Sequence, residues 1–446
     1  MQKLVILSIV TLLVACANEE ILNNTIDKSN EDEVYIQNRR SLVEAMGIAQ
    51  KAIQLFEDDH QDNHKKAKLR TLNLSTGVKA IQQAVTRNSY QFSGNDTLFY
   101  VLNFNNNQGF AIIPASRNSD EIIAVIDSGF YDPEIPTSNP AFEKYMQMAR
   151  AYIAYQDMKS TEAKSKEKEE LPRSLMVRPV YDTVIYRNIA PKLSVYWGQD
   201  GRMGQFCTNG YSGCMNTAAA QIMHYYKYPT SLELTYDGRD TNYTALNWLD
   251  MYPNTNVDYN RCSSDIQIGR LARQLGQLAG STYNSGGGTT TDMDNIHDAL
   301  EYLGYNVSDI NYYIHTNSNG TKNWDVGYPL AYSLANDKLI LMGGNSGSPN
   351  NAHGWVIDGC YYVKAFHRLM GSYDGINWFV YQEIDTKRTC YNHINWGYDG
   401  DCNGYFNFDV FNLSMGITYD MNNPNTEYYD DSYNFYNNMY YFTVWR

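Results

Sequence analysis

The sequence predicts an α+β protein built as two units, and three observations carry that expectation. Residues 40–56, RSLVEAMGIAQKAIQLF, place Leu42, Val43, Met46, Ile48, Ala49, Ala52, Ile53 and Phe56 at helical spacing. Short β-rich runs follow at 98–115 and 122–132, punctuated by Asn-Asn-Gln-Gly and Asp-Ser-Gly turns, and a second amphipathic helix is expected at 139–158. Beyond residue 180 the order is helices first and strands afterwards, which argues for segregated α+β layers rather than an alternating parallel sheet.

Each unit is justified in turn. The first, residues 40–158, reads helix, antiparallel strands, helix: a small α+β domain of ordinary size. Residues 159–174, KSTEAKSKEKEELPRS, have no apolar face, so 159–180 is expected to be an exposed linker open to proteolysis. The second unit, 181–446, is expected to carry helices at 214–226, 266–279 and 294–305. Strands are then expected at KLILMGG, GWVIDGCYYV, NWFVYQEI, NHINWGY, GYFNFDVF and YYFTVW, all after residue 337.

Composition narrows the function. With 43% apolar and 19% charged residues the chain is a globular protein rather than a disordered one. A formal charge of −14, from 35 basic and 49 acidic residues, leaves no basic stripe to neutralise phosphates, so no nucleic-acid partner is expected. The 39 tyrosines, often beside asparagine, are read as polar β-edges and loops of an exported protein, in preference to a glycan-binding surface.

Residues 1–15, MQKLVILSIVTLLVA, have one lysine and a short apolar run, the pattern of a secretory leader too short to span a bilayer. The run ends in LVAC, which resembles a bacterial lipobox with Cys16 as the lipidated residue and 16–39 as a spacer; an ordinary leader cut nearby is the alternative. The expected location is outside the cytoplasm, either anchored at the cell surface or outer membrane through lipid on Cys16 or released after processing.

Seven cysteines stand at 16, 207, 214, 262, 360, 390 and 402. Export permits disulfides, and Cys360, Cys390 and Cys402 are candidates for one pair, although spacing does not assign it. No CxxC and no histidine pair at ligand spacing occurs, so no metal is expected, and no other cofactor is implied. Gly286 to Gly288 are not followed by Gly-Lys-Ser/Thr, which rejects a phosphate loop in favour of a flexible cleft loop.

The chemistry is expected at Cys214. It follows the turn Gly210-Tyr211-Ser212-Gly213 and opens the helix whose buried face is Ala218, Ala219, Ile222, Met223 and Tyr226. A helix N-terminus offers unpaired N–H groups and a positive dipole end, both of which lower a thiol's pKa. Taken alone, a buried structural cysteine is the better reading. His353 changes that: it stands just ahead of the apolar run WVIDG, where a base and later an acid for the leaving group is needed. His353 lies 139 residues after Cys214, and Asn395, with Trp396 beside it, lies 42 further on. Papain-type enzymes place their His and Asn about 130–150 residues past the Cys, a range that His353 meets, although spacing alone does not transfer between families. Asp358 and Asp399 are secondary candidates for the third position, while His224 and His393 are read as structural.

These segments together resemble streptopain and its relatives, the papain-like cysteine peptidases of bacteria. GCMNTAAAQIMHYYKYP is similar to that family's nucleophile helix, HGWVIDG to its histidine strand, and HINWGYDGDCNGYF to its Asn-Trp-Gly segment. Residues 100–132 resemble its inhibitory propeptide, so the likeness spans about 40–446. The resemblance implies a papain-like catalytic domain, part helical and part antiparallel β, behind a small α+β prodomain. It implies Cys214 as nucleophile, His353 as base, Asn395 orienting the imidazole and Trp396 shielding that hydrogen bond. Gln199, in VYWGQDG, matches the oxyanion-hole glutamine, although the DGRMGQFC that follows departs from the family pattern, as does NAHG before the base. Cys207, seven residues before the nucleophile, is a second thiol in position to pair or compete with it.

The expectation is therefore a cysteine endopeptidase made as a zymogen, with protein or peptide substrates and its own propeptide as intramolecular inhibitor. The rivals are an acyl-transferring enzyme using the same Cys and His, and an inactive papain-like surface protein.

Overall fold

The structure, a computed structural model, describes residues 39–57, 70–72, 78–82, 97–163, 176–236, 240–253, 263–286, 288–312, 315–316, 322–323, 327–345, 352–411 and 438–446. The expected leader, Cys16, the spacer and Cys262 lie outside the described residues.

Helix α1 (Leu42–Glu57) begins with a reciprocal cap. The Glu44 carboxylate accepts from the Ser41 N–H at 2.8 Å while Ser41 Oγ accepts from the Glu44 N–H at 3.3 Å. Strands β1 (Val78–Gln82), β2 (Thr97–Asn103), β3 (Phe110–Pro114) and β4 (Ala124–Ile126) follow as an antiparallel run. Helix α2 (Pro140–Ala163) starts on a proline, whose missing N–H costs nothing in the first turn, and Asn139 Oδ1 accepts from the Phe142 N–H at 3.0 Å.

Expected helices and strands of the second unit form close to their sequence positions. The helices are α3 (Cys214–Tyr226), α4 (Ser263–Leu278), α5 (Met293–Tyr302) and α6 (Gly327–Ala335), the last not foreseen. A separate hairpin, Ser231–Tyr236 with Asp240–Ala245, was also not foreseen. The sheet strands are β5 (Met176–Ile189), β6 (Leu339–Asn345), β7 (His353–Ser372), β8 (Phe379–Asn395), β9 (Gly404–Asn407) and β10 (Asn438–Trp445). The segments NWFVYQEI and NHINWGY, expected as separate strands, contribute to the single strand β8. It pairs along β7 through a turn in which Asp374 Oδ1 accepts the N–H groups of Ile376 and Asn377.

The expected linker is shorter than its composition suggested. Residues 159–163 continue α2, and 176–180 belong to β5, which pairs with the outer half of β7; 164–175 lie outside the described residues. Charged side chains do not prevent a backbone from joining a helix or a sheet edge when its polar groups find partners there.

The two units share one sheet. Its main path runs β1-β2-β3-β4-β9-β8-β7-β6-β10, and β4 meets β9 with Ile126 opposite Gly404, Val125 opposite Tyr405 and Ala124 opposite Phe406. A Cβ at Gly404 would stand 2.3 Å from the Val125 carbonyl oxygen, so this junction requires glycine. Each face of the shared sheet carries a core drawn from both units. On one face α1 packs Phe56 against Tyr405 (4.6 Å between ring centroids) and Tyr361 (5.2 Å). On the other, Phe142 and Tyr145 of α2 reach Phe406 at 6.3 and 4.8 Å, in the core that also holds α3.

Candidate active site

Cys214 is the first residue of α3, behind Gly213 at φ 90°, where a side chain is disfavoured and a Cβ would press on Thr289 at 3.0 Å. The Gly-rich loop is therefore a wall of the turn before Cys214: Asn209 Nδ2 donates to the Gly288 carbonyl at 2.7 Å and Thr289 Oγ1 to the Tyr211 carbonyl at 2.7 Å. Helix α3 seats against the sheet through Met215, whose thioether fills the space beside Gly343 and Gly354.

His353 opens β7, opposite Gly344 on β6. Its Nε2–H donates to the Trp396 carbonyl at 2.8 Å, which fixes the tautomer and leaves Nδ1 as the proton acceptor. The ring lies in an aromatic box of Trp355 (6.1 Å), Trp396 (6.3 Å) and Tyr398 (5.3 Å, stacked). Tyr398 was missed in the sequence. It stacks on His353, has the Gln199 side chain as a hydrogen-bonding neighbour, and has its hydroxyl pKa raised by burial and by the nearby Cys214. Its place two residues past Trp396 was the available signal.

The thiol and imidazole come together, since the Gly354 N–H, next in chain to His353, turns toward the Cys214 sulfur along with the N–H groups of Met215 and Cys214. These three donors favour a thiolate, but burial outweighs them and the thiol pKa is raised. Burial likewise pulls His353 down to about 4, against the Trp396 carbonyl and with help from the Lys144 ammonium on α2. Both groups are thus neutral near neutral pH, whereas the helix N-terminus alone pointed to a thiolate. The difference comes from the packing over the site, to which α2 contributes.

Asn395 does not orient the imidazole here. Its Nδ2 donates to the Val195 carbonyl at 3.1 Å and to Gln221 Oε1 at 2.9 Å, and its Oδ1 accepts the Gly397 N–H at 3.1 Å. The register explains this: Asn395 pairs with Val356, three residues along β7 from His353, so the backbone carbonyl of the next residue reaches the ring instead. Trp396, fully buried, packs beside that hydrogen bond and on Phe406 at 5.2 Å.

Gln199 lies against the turn ahead of Cys214, its carbonyl accepting the Ser212 N–H at 2.7 Å and Oγ–H at 3.0 Å. Asp399 accepts the Gly198 N–H at 3.0 Å. Asp358 faces a different histidine: His393 Nδ1 donates to Asp358 at 2.5 Å and Nε2 to Asp127 at 2.8 Å. Burial disfavours the His393 charge, but the two carboxylates outweigh it and raise its pKa to about 10. His224 is structural, its Nε2 at 3.0 Å from the Trp248 carbonyl.

Cys207, Cys214, Cys360, Cys390 and Cys402 form no disulfide with one another, so none of the candidate pairings among the last three is made. Cys360 and Cys390 sit on neighbouring strands but out of register, with Cys390 opposite Tyr362. Cys207 is buried beside Tyr283 and the Met203 carbonyl and does not pair with Cys214. Among the described residues no cluster of three or more metal-ligating side chains occurs.

Residues 185–406 match the model of the Peptidase C10 family. Streptopain of Streptococcus pyogenes is 24% identical over 344 residues, covering 71% of this chain and 75% of the relative. The serotype M1 streptopain is 24% identical over 347 residues with the same coverage. The chain belongs to the streptopain-like cysteine peptidase family. Among solved structures, a Prevotella intermedia prointerpain A fragment aligns with a TM-score of 0.47 at 17% identity, over 84% of this chain and 98% of that one. Active wild-type Prevotella intermedia interpain A cysteine protease aligns with a TM-score of 0.35 at 17% identity, over 58% and 94%. Within the C10 match fall Cys214, His353, Asn395, Trp396, Gln199 and Tyr398, whereas α1, α2 and β1 to β4 precede it.

Proposed function

We propose that this C10 family member is an exported cysteine endopeptidase made as a zymogen. The observation that carries the reading is the convergence of Cys214, at the head of α3, and His353, at the head of β7, in one aromatic-walled site. Cys214 would attack the peptide carbonyl as His353 Nδ1 takes its proton and later delivers it to the leaving amine. The Trp396 carbonyl holds the imidazole in the required tautomer. Gln199 and the Cys214 N–H would bind the oxyanion, and water would then hydrolyse the thioester. No metal or cofactor takes part.

Residues 40–158 act as the inhibitory propeptide. The α2 helix stands against the catalytic unit, with Asn139 Nδ2 donating to the Asp401 carbonyl at 2.7 Å and Ser138 Oγ to the Asp401 carboxylate at 2.6 Å. Its Lys144 opposes protonation of His353, which a thiolate–imidazolium pair needs. Cutting between α2 and β5 and releasing the propeptide rehydrates the site, so the thiol pKa falls and the imidazole pKa rises. The leader and lipid on Cys16 would place the precursor at the cell surface or outer membrane, and the substrates are proteins or peptides.

The test is incubation of the purified full chain and its Cys214→Ala variant with denatured casein, following chain lengths over time. The expected result is casein cleavage and self-processing within 159–180 by the wild type alone. A wild type that cleaves nothing, even after the linker is cut by another protease, refutes the reading.

A further inference from the structure

Residues 197–199 are held at every position by a different element. The Trp197 N–H donates to Gln221 Oε1 at 3.0 Å, on the nucleophile helix. The Gly198 N–H donates to Asp399 Oδ1 at 3.0 Å. The Gln199 carbonyl is taken by Ser212, two residues before Cys214. The fit at the middle position is close: a Cβ on Gly198 would stand 2.3 Å from Asp399 Oδ2. Asp399 itself sits at φ 51°, in the left-handed region that non-glycine residues seldom adopt. Such strain persists where surrounding contacts over-determine it, and here the contact it serves is a charge-assisted hydrogen bond to a backbone N–H.

The turn that carries Asp399 is fixed in its own right. The Trp396 N–H donates to Asn403 Oδ1 at 3.0 Å and the Gly397 N–H to Asn395 Oδ1 at 3.1 Å. The same turn supplies the Trp396 carbonyl that holds His353. One short segment therefore grips the general base with a carbonyl and the Gln199 segment with a carboxylate.

We propose that Asp399 is a positioning residue for oxyanion binding: through the Gly198 N–H it sets where the Gln199 carboxamide stands relative to Cys214. The proposal rests on the peptidase reading above and assigns Asp399 a role distinct from orienting the imidazole. It acts on the carbonyl oxygen of the substrate only through Gln199.

Two probes separate this from general damage. A peptide aldehyde adds to the thiol to form a hemithioacetal whose oxygen occupies the oxyanion site, whereas iodoacetamide alkylates the thiol by displacement of iodide and uses no oxyanion site. The full chain, nicked in its linker, is compared as wild type, Asp399→Gly, Asp399→Asn and Gln199→Ala. Asp399→Gly relieves the backbone strain while removing the acceptor, and it should weaken aldehyde inhibition and kcat by about 10–100-fold, the scale of a displaced or lost oxyanion donor. Its alkylation rate should stay within about twofold of wild type, as an intact Cys–His pair requires. Asp399→Asn keeps an acceptor oxygen and tolerates the left-handed conformation, so it should lie within about threefold of wild type. In the Gln199→Ala background, Asp399→Gly should add less than about a twofold further loss, because residues acting through one another are non-additive. Full additivity with Gln199→Ala, a parallel loss of alkylation, or an Asn variant as poor as the Gly variant overturns the proposal. A nicked wild type whose thiol is inert to both probes refutes the peptidase reading, and this proposal with it; with a reactive wild type, a failed variant pattern counts against Asp399 alone.

Discussion

Replacing His393 with leucine would remove the centre of a carboxylate–imidazolium–carboxylate line that joins the first unit to the second. Asp127 follows β4, whereas Asp358 and His393 belong to β7 and β8. The two arms differ in worth. The side chains of His393 and Asp358 are 6% and 1% exposed, so deleting the imidazole leaves Asp358 buried with the Leu193 N–H at 2.9 Å in place of a cation. Losing one partner of a buried pair costs about 3–5 kcal/mol. The Asp127 side chain is 44% exposed, and solvent screening limits that arm to about 1 kcal/mol or less. The pH dependence follows from the direction of the shift. A histidine pKa raised to about 10 in the folded state contributes stability that is complete below its unfolded value and fades as pH climbs through the folded value. Urea unfolding of the full chain, carrying Cys214→Ala to prevent self-cleavage, should show the Leu variant destabilised most near pH 6 and much less at about pH 11. A gap of equal size at both pH values, or no gap at the lower one, would refute a charged bridging imidazolium. Asp127→Asn should cost far less than His393→Leu in the same series.

Three other perturbations test the site and its covering. Asn395→Ala should lower stability by about 1–3 kcal/mol through its lost hydrogen bonds to the Val195 carbonyl, Gln221 Oε1 and the Gly397 N–H, yet leave the pH profile of thiol alkylation in place, since His353 leans on the Trp396 carbonyl. A clear shift in that profile would restore Asn395 to the imidazole. Lys144→Met should speed iodoacetamide alkylation of Cys214 in the uncut chain by no more than about threefold, because the cation only adds to a lowering of the His353 pKa that burial dominates. An unchanged rate would exclude that charge from holding the zymogen silent. Phe142→Ala, which empties a fully buried site between Tyr131, Phe110 and Phe406, should cost about 3–5 kcal/mol in unfolding experiments on the Cys214→Ala chain. A loss below about 1 kcal/mol would mean that α2 is not anchored by this ring.

Local periodicity and turn residues were sufficient to find α1, α2, α3 and β2 to β4. Ser41 and Glu44 sit at capping-box spacing, and the apolar faces follow one period within each element. The order Cys214, His353, Asn395 and its likeness to a peptidase family were also visible in the chain, because a cysteine at a helix start and a histidine at a strand start leave local marks. Partner choice was not. That Asp358 serves His393, that Asn395 serves Gln221, and that the Trp396 carbonyl serves His353 depends on strand register, where an offset of a residue or two decides which group meets which. The candidate pairing of Cys360 with Cys390 is excluded on the same ground, since Cys390 faces Tyr362 rather than Cys360. The joining of β4 to β9 depends on Gly404, a residue that looks from its neighbours like any other loop glycine. The pKa of Cys214 shows the division most plainly. The sequence by itself put a thiol where backbone N–H groups and a helix dipole favour its anion. Only the tertiary structure decided that burial wins, because desolvation is set by what folds over a group and not by what precedes it in the chain.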